Sequence, residues 1–174
     1  MIRLALIEGI ITTFMCILIG NRGVGKMNYE YREITINDLK FIHELFRMKE
    51  YEYIFFEHNT NIESWEKRFD DIKTFGIVYD NDEKVGVINL ERSKKSVEIL
   101  LLAIKVELLG NSVGKRIMND IFEMSPTKHF ELIVMKSNER AVSFYKKIGF
   151  SIIEETVEDY DQNGKHESYK MLKQ

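Results

Sequence analysis

The chain has 174 residues, of which 25 are Lys or Arg and 28 are Asp or Glu, for a net charge of −3; 44% are hydrophobic and 30% charged. That length and mixture suit one globular domain with a real core, and they exclude a disordered or fibrous chain. The single cysteine, Cys16, rules out an internal disulfide and a cysteine-cluster metal site, and the acidic balance argues against nucleic-acid binding, which needs a basic face.

Residues 1–26 are set apart as an apolar N-terminal extension, either an upstream start or a leader. Their longest uncharged run, Gly9 to Asn21, has 13 residues, and a membrane span needs roughly 18 or more. No membrane helix is expected. A secretory leader is the rival reading, but Glu8 interrupts the run early and no A-x-A-like site follows. A reducing, cytoplasmic setting is the expected one. Gly20-Asn21-Arg22-Gly23-Val24-Gly25-Lys26 reads like a phosphate-cradling P-loop. Met27 stands where that loop needs Ser or Thr for Mg²⁺, and a strand-like alternation follows instead of a helix, so nucleotide hydrolysis is set aside.

One domain is expected over residues 27–174. Tyr29 to Ile36 alternates as a strand, and Asn37 can cap a helix to about Lys49 with Leu39, Ile42, Leu45 and Phe46 on one face. A second helix is expected over Ile62 to Ile72, capped by Asn61. Thr74 to Tyr79 and Val85 to Glu91 form a hairpin about Asn81 to Lys84, and Val97 to Val106 is the most apolar strand. After a loop at Leu109 to Ser112 comes an amphipathic helix, Val113 to Met124, stopped at Ser125-Pro126. His129 to Met135 is a strand, Glu139 to Lys147 a helix ended by Gly149, and Phe150 to Glu158 and Glu167 to Leu172 flank a turn. The order β-α-α-β-β-β-α-β-α-β-β predicts an α+β fold. Its sheet of about seven strands is mixed and mostly antiparallel, with helices on both faces.

The chemistry sits where the apolar strand meets a glycine-containing turn and a helix start. First-turn N–H groups have no intrahelical partner, and with the helix dipole they make an anion site suited to a pyrophosphate. Gly110 and Gly114 permit close approach of a ligand to the backbone. Taken alone, two glycines before a helix read first as a plain helix-start turn. The four His show no metal spacing and no metal is expected.

Asn138-Glu-Arg-Ala141-Val-Ser-Phe144-Tyr145-Lys-Lys-Ile-Gly149-Phe150 resembles the Asn-x-x-Ala-x-x-Phe-Tyr-x-x-x-Gly-Phe signature of the GNAT family of N-acetyltransferases. Leu109 to Gly114 falls on that family's Arg/Gln-x-x-Gly-x-Gly/Ala turn, with Leu109 in place of the polar first residue and Ser112 in place of a glycine. The resemblance runs from about Met27 to Leu172.

It implies transfer of an acetyl group from acetyl-CoA to a primary amine by direct attack in a ternary complex. The amine would belong to a small molecule, an amino sugar, a polyamine or a protein N-terminus. The alternative is a non-catalytic acyl-CoA-binding or regulatory domain of the same fold, which the Leu109 and Ser112 departures keep open. It further implies a pyrophosphate cradle at Leu109, Gly110, Asn111, Ser112, Val113 and Gly114, with Lys115 and Arg116 near the 3′-phosphate. The pantetheine arm would lie along the backbone of Leu102 and Ile104, beside Asn138 and Ala141. Tyr145 falls at the family's general acid. Glu98, which opens Glu98-Ile-Leu-Leu-Leu-Ala-Ile, falls at the base of the histone acetyltransferase branch. A carboxylate at the edge of an apolar strand should have a raised pKa, which suits a base. Tyr53 and His58 fall in the region that selects the acceptor. A homodimer is compatible with all of this.

Overall fold

The computed structural model describes residues 28–52, 62–67, 69, 74–93, 95–159 and 164–174. The P-loop-like motif, Cys16, Tyr53, His58, the Asn61 cap and the turn at 160–163 lie outside the described residues.

The strands are β1 (Glu30–Glu33), β2 (Gly76–Asp80), β3 (Glu83–Arg92), β4 (Val97–Ile104), β5 (Phe130–Met135), β6 (Ser151–Asp159) and β7 (Lys165–Lys173). They form one seven-stranded sheet in the order β1-β2-β3-β4-β5-β7-β6. Every neighbouring pair is antiparallel except β4 with β5. The helices are α1 (Leu39–Phe46), α2 (Ile62–Lys67), α3 (Val113–Met124) and α4 (Glu139–Lys147). The mixed α+β architecture inferred from the sequence is present, and α3 and α4 have the boundaries expected.

Two apolar cores sandwich the sheet. On one face α3 and α4 bury Ile117, Met118, Ile121, Val142 and Tyr145 against Val97, Ile99, Phe130, Leu132 and Met171. On the other, α1 and α2 bury Leu39, Ile42, Phe46 and Trp65 against Ile77, Val87 and Ala103. Strand β4 serves both cores through a bulge. Asn89 pairs with Leu101 and Leu90 with Ile99, so Leu100 is the extra residue. Strand alternation alone would put 97, 99, 101 and 103 on one face. The bulge shifts the phase, so that Val97, Ile99, Leu102 and Ile104 face the α3–α4 core and Leu101 and Ala103 the other.

Several boundaries differ from expectation: β3 begins at Glu83 rather than Val85, β4 ends at Ile104 rather than Val106, and two differences near the N-terminal helix have clear causes. The first strand stops at Glu33, because Asp38 reaches back to accept the Thr35 N–H and hydroxyl, both at 2.7 Å. Thr35, not Asn37, therefore opens the helical segment, first as a 3₁₀ turn (Ile36–Asp38) and then as α1. Helix α1 ends at Phe46, and Lys49–Tyr51 forms a second 3₁₀ turn rather than the end of a longer helix.

The start of β1 is pinned to α3 by a buried carboxylate. Asp120 accepts the backbone N–H groups of Asn28 and Tyr29, the Asn28 side-chain amide at 2.7 Å and the Tyr31 hydroxyl at 3.1 Å. Burial, reinforced by Asp120, pushes the Tyr31 hydroxyl well above its ordinary pKa and keeps it a donor.

Candidate active site

The parallel pair at the middle of the sheet is brief. Val97 pairs with Phe130 and Glu98 with Glu131, and then the two strands part. In an antiparallel ladder alternate residues turn their N–H and C=O groups to opposite sides. Lys105 donates to Val85 at 2.8 Å, which sets that alternation between β3 and β4. Leu102 and Ile104 therefore present their backbone groups to the edge that β5 has left. This open edge is the slot that the sequence reading assigned to an extended arm.

The slot leads to the turn before α3. A 3₁₀ turn (Val106–Leu108) is followed by Leu109, then Gly110 at φ +82° and Ser112 at φ +61°. Left-handed residues among right-handed ones point successive N–H groups to one side, a concavity that suits an anion. The first-turn amides of Val113, Gly114 and Lys115 continue it. Gly114 sits close to α4: a Cβ there would just touch the Phe144 ring, at 3.4 Å. The Ser112 side chain makes no cap hydrogen bond.

The remaining turn residues divide by role. Leu109 packs its side chain on the α3–α4 core, and its N–H donates to the Val106 carbonyl at 3.1 Å, so neither is free to hold an anion. Lys115 is exposed. Arg116 is committed to the protein: it donates to the Tyr29 hydroxyl at 2.9 Å and to the Asn111 carbonyl at 3.3 Å, which braces the turn.

Helix α4 follows β5 and supplies the other wall. The Asn138 Oδ1 accepts the Ala141 N–H at 3.1 Å, so Asn138 caps the helix. Ala141 is half-buried against the core. The Tyr145 ring is buried edge-on to Phe144 and Phe150, with centroids 5.1 and 5.5 Å away. Burial pushes its hydroxyl pKa well up, so the proton is retained at neutral pH.

Glu98 stands where the strands part, half-buried, on the face opposite Val97. Its pKa is raised, first by burial and then by the charges of Glu131 and Glu91. Glu131 is held low by the Ser96 hydroxyl at 2.6 Å and by Lys170, whose Nζ lies 3.3 Å from the other oxygen. One carboxylate is thus stabilised as an anion beside another that resists ionising.

Sequence reasoning missed two features. Glu131 was visible as the one charged residue in an apolar strand, as Glu98 was. Tyr51 carried no signal at all. Its hydroxyl accepts the Ile104 N–H at 2.8 Å and donates to the Ile104 carbonyl. Of the histidines, His43 packs its ring edge-on to Trp65 and His129 is exposed. Among the described residues no helix is long and apolar enough to cross a membrane, and no three His, Cys, Asp or Glu side chains group as metal ligands.

Residues 45–165 match the sequence family described as Acetyltransferase (GNAT) domain. Among solved structures, the chain is similar to a spermidine N-acetyltransferase from Vibrio cholerae in complex with CoA and spermine. The identity is 22% and the TM-score 0.67, with 84% of this chain and 95% of that one covered. It is similar to the PaiA N-acetyltransferase from Thermoplasma acidophilum in complex with coenzyme A, at 25% identity and TM-score 0.58, over 85% and 99% of the chains. Ard1 from Thermoplasma volcanium matches at 21% identity and TM-score 0.60, over 84% and 97%.

Proposed function

The chain belongs to the GNAT acetyltransferase family, and on that premise we propose that it transfers an acetyl group from acetyl-CoA to a primary amine. The observation that carries this reading is the edge of β4 that no described strand covers, running into a left-handed turn and the first-turn amides of α3. The residues fit the group. The N–H groups about Gly110, Ser112, Val113 and Gly114 suit its pyrophosphate, and Lys115 lies near enough in the chain for its 3′-phosphate. Leu102 and Ile104 offer backbone donors and acceptors to its amides, beside Asn138 and Ala141.

Bound acetyl-CoA supplies an activated acetyl group as its thioester. Glu98 takes the proton that the amine must shed to become a nucleophile, and its raised pKa brings its basicity nearer to neutrality. Tyr145 gives a proton to the departing thiolate sulfur; burial keeps that hydroxyl protonated beforehand while disfavouring the tyrosinate it leaves. One proton is taken and one given, so the transfer balances.

A polycationic amine is the acceptor class the charges favour. Glu91, Glu131 and Glu158 all act electrostatically on Glu98, with Lys170 as the opposing cation. A second ammonium on the same substrate would sit well among these carboxylates. The Vibrio cholerae neighbour is a spermidine N-acetyltransferase.

The test is calorimetry on the full chain with acetyl-CoA, CoA and GTP, followed by thiol release with spermidine, an amino sugar and a peptide N-terminus. Micromolar acetyl-CoA binding without GTP binding, and turnover with the polyamine, are expected. Failure to bind either CoA form would overturn the proposal. Binding without turnover on any amine would turn it into the acyl-CoA-binding alternative.

A further inference from the structure

The slot along β4 is already engaged. A backbone amide of a neighbouring strand would offer Ile104 one acceptor and one donor. The Tyr51 hydroxyl offers the same pair, accepting the Ile104 N–H and donating to its carbonyl. Tyr51 is buried and belongs to the 3₁₀ turn Lys49–Tyr51. That turn is held from the opposite wall: Arg140 on α4 donates to the Glu50 carbonyl at 3.0 Å, and its guanidinium stands 5.8 Å from the Tyr51 ring centroid. The turn therefore bridges the two arms that part beyond Glu98 and Glu131. An extended ligand adding to the free edge of β4 needs the same N–H and C=O. The hydroxyl and the ligand exclude each other.

We propose that Tyr51 is a displaceable latch: its hydroxyl satisfies the free backbone pair of Ile104 until an acyl-CoA chain takes that pair over. This rests on the acyl-CoA reading above. Without the hydroxyl, the free protein leaves a buried donor and acceptor unmet, and the bound protein loses nothing. Binding then no longer pays for eviction, and apparent affinity rises by the population of closed latch removed.

The experiment compares wild-type and Tyr51→Phe proteins, full chain, by acetyl-CoA calorimetry. The variant keeps the ring and is expected to bind about fivefold to 150-fold more tightly, the range that the two net hydrogen bonds to Ile104 convert to. Unchanged or weaker binding in the variant, beside a wild type that binds, overturns the latch and leaves the acyl-CoA reading intact. A wild type that does not bind overturns both. Amide hydrogen exchange on the wild type gives a second readout that needs no variant. Saturating acetyl-CoA should deprotect peptides covering Lys49–Glu52 while the Ile104 amide stays protected. Protection of Lys49–Glu52 that stays level or increases refutes the displacement.

Discussion

Replacing Ser112 by glycine should stabilise the protein. Ser112 sits at φ +61° and ψ 9°, where an L side chain crowds its own backbone at a cost of roughly 1–2 kcal/mol. Its hydroxyl returns nothing as a cap, because it makes no cap hydrogen bond. Glycine removes the crowding but raises the entropy of the unfolded chain, which costs about 0.5–1 kcal/mol. The difference is a net gain of about 0.5–1 kcal/mol, or a rise in Tm of roughly 1–4 °C for a chain of this size. Urea unfolding followed by circular dichroism measures it. Ser112→Ala is the control: it drops the hydroxyl, keeps the Cβ and should gain nothing. The same two variants report on the anion cradle. If the grip is made by backbone amides, both bind acetyl-CoA within about twofold of wild type. A destabilised glycine variant, or an alanine variant that gains as much as the glycine one, would refute the argument from backbone conformation.

Three further outcomes are expected. Asp120→Ala strands the buried Tyr29 N–H, gives the Asn28 N–H over to water and leaves the buried Tyr31 hydroxyl only its 3.4 Å bond to the Ile117 carbonyl. It should cost about 2–3 kcal/mol in urea unfolding, and a loss below about 1 kcal/mol would show the network to be dispensable. Tyr145→Phe should lower kcat roughly 10²-fold and leave Tm unchanged, because the hydroxyl adds no packing; unchanged kcat would remove Tyr145 from proton transfer. Glu131→Gln removes an anion beside Glu98, so the neutral form of Glu98 is favoured less and its pKa falls. The acid limb of kcat/KM should move to lower pH, yet stay above the ordinary glutamate range because burial, the larger cause, remains. A limb that moves upward would contradict the assignment of Glu98 as the base.

The C-terminal half was the more legible part of the chain. Helix α4 has both ends written locally, in the Asn138 cap and in Gly149, which takes φ +102° just past the end. The N-terminal boundaries depended on reach. Thr35-Ile-Asn-Asp38 contains a Thr and an acid three residues apart, a capping box in hindsight, whereas Asn37 only looked like a cap by type. The bulge at Leu100 was hidden because an unbroken apolar run has no period to interrupt. The catalytic candidates could be read because a local motif carries them. Tyr51 could not, since its partner is 53 residues away in the chain and tyrosines crowd that stretch.

The two-rung seam between β4 and β5 has a mechanical meaning. Hydrogen bonding runs continuously from β1 to β4 and again from β5 to β6, but two rungs alone join these blocks within the sheet. Across that line the sheet is two panels sharing a corner, joined by the helical core that spans both. The acyl-CoA arm proposed above would lie along this edge as an eighth, removable strand. If acyl-CoA binds there as proposed, it would add backbone bonding along the seam, and amides on both sides of it should exchange more slowly in the loaded protein.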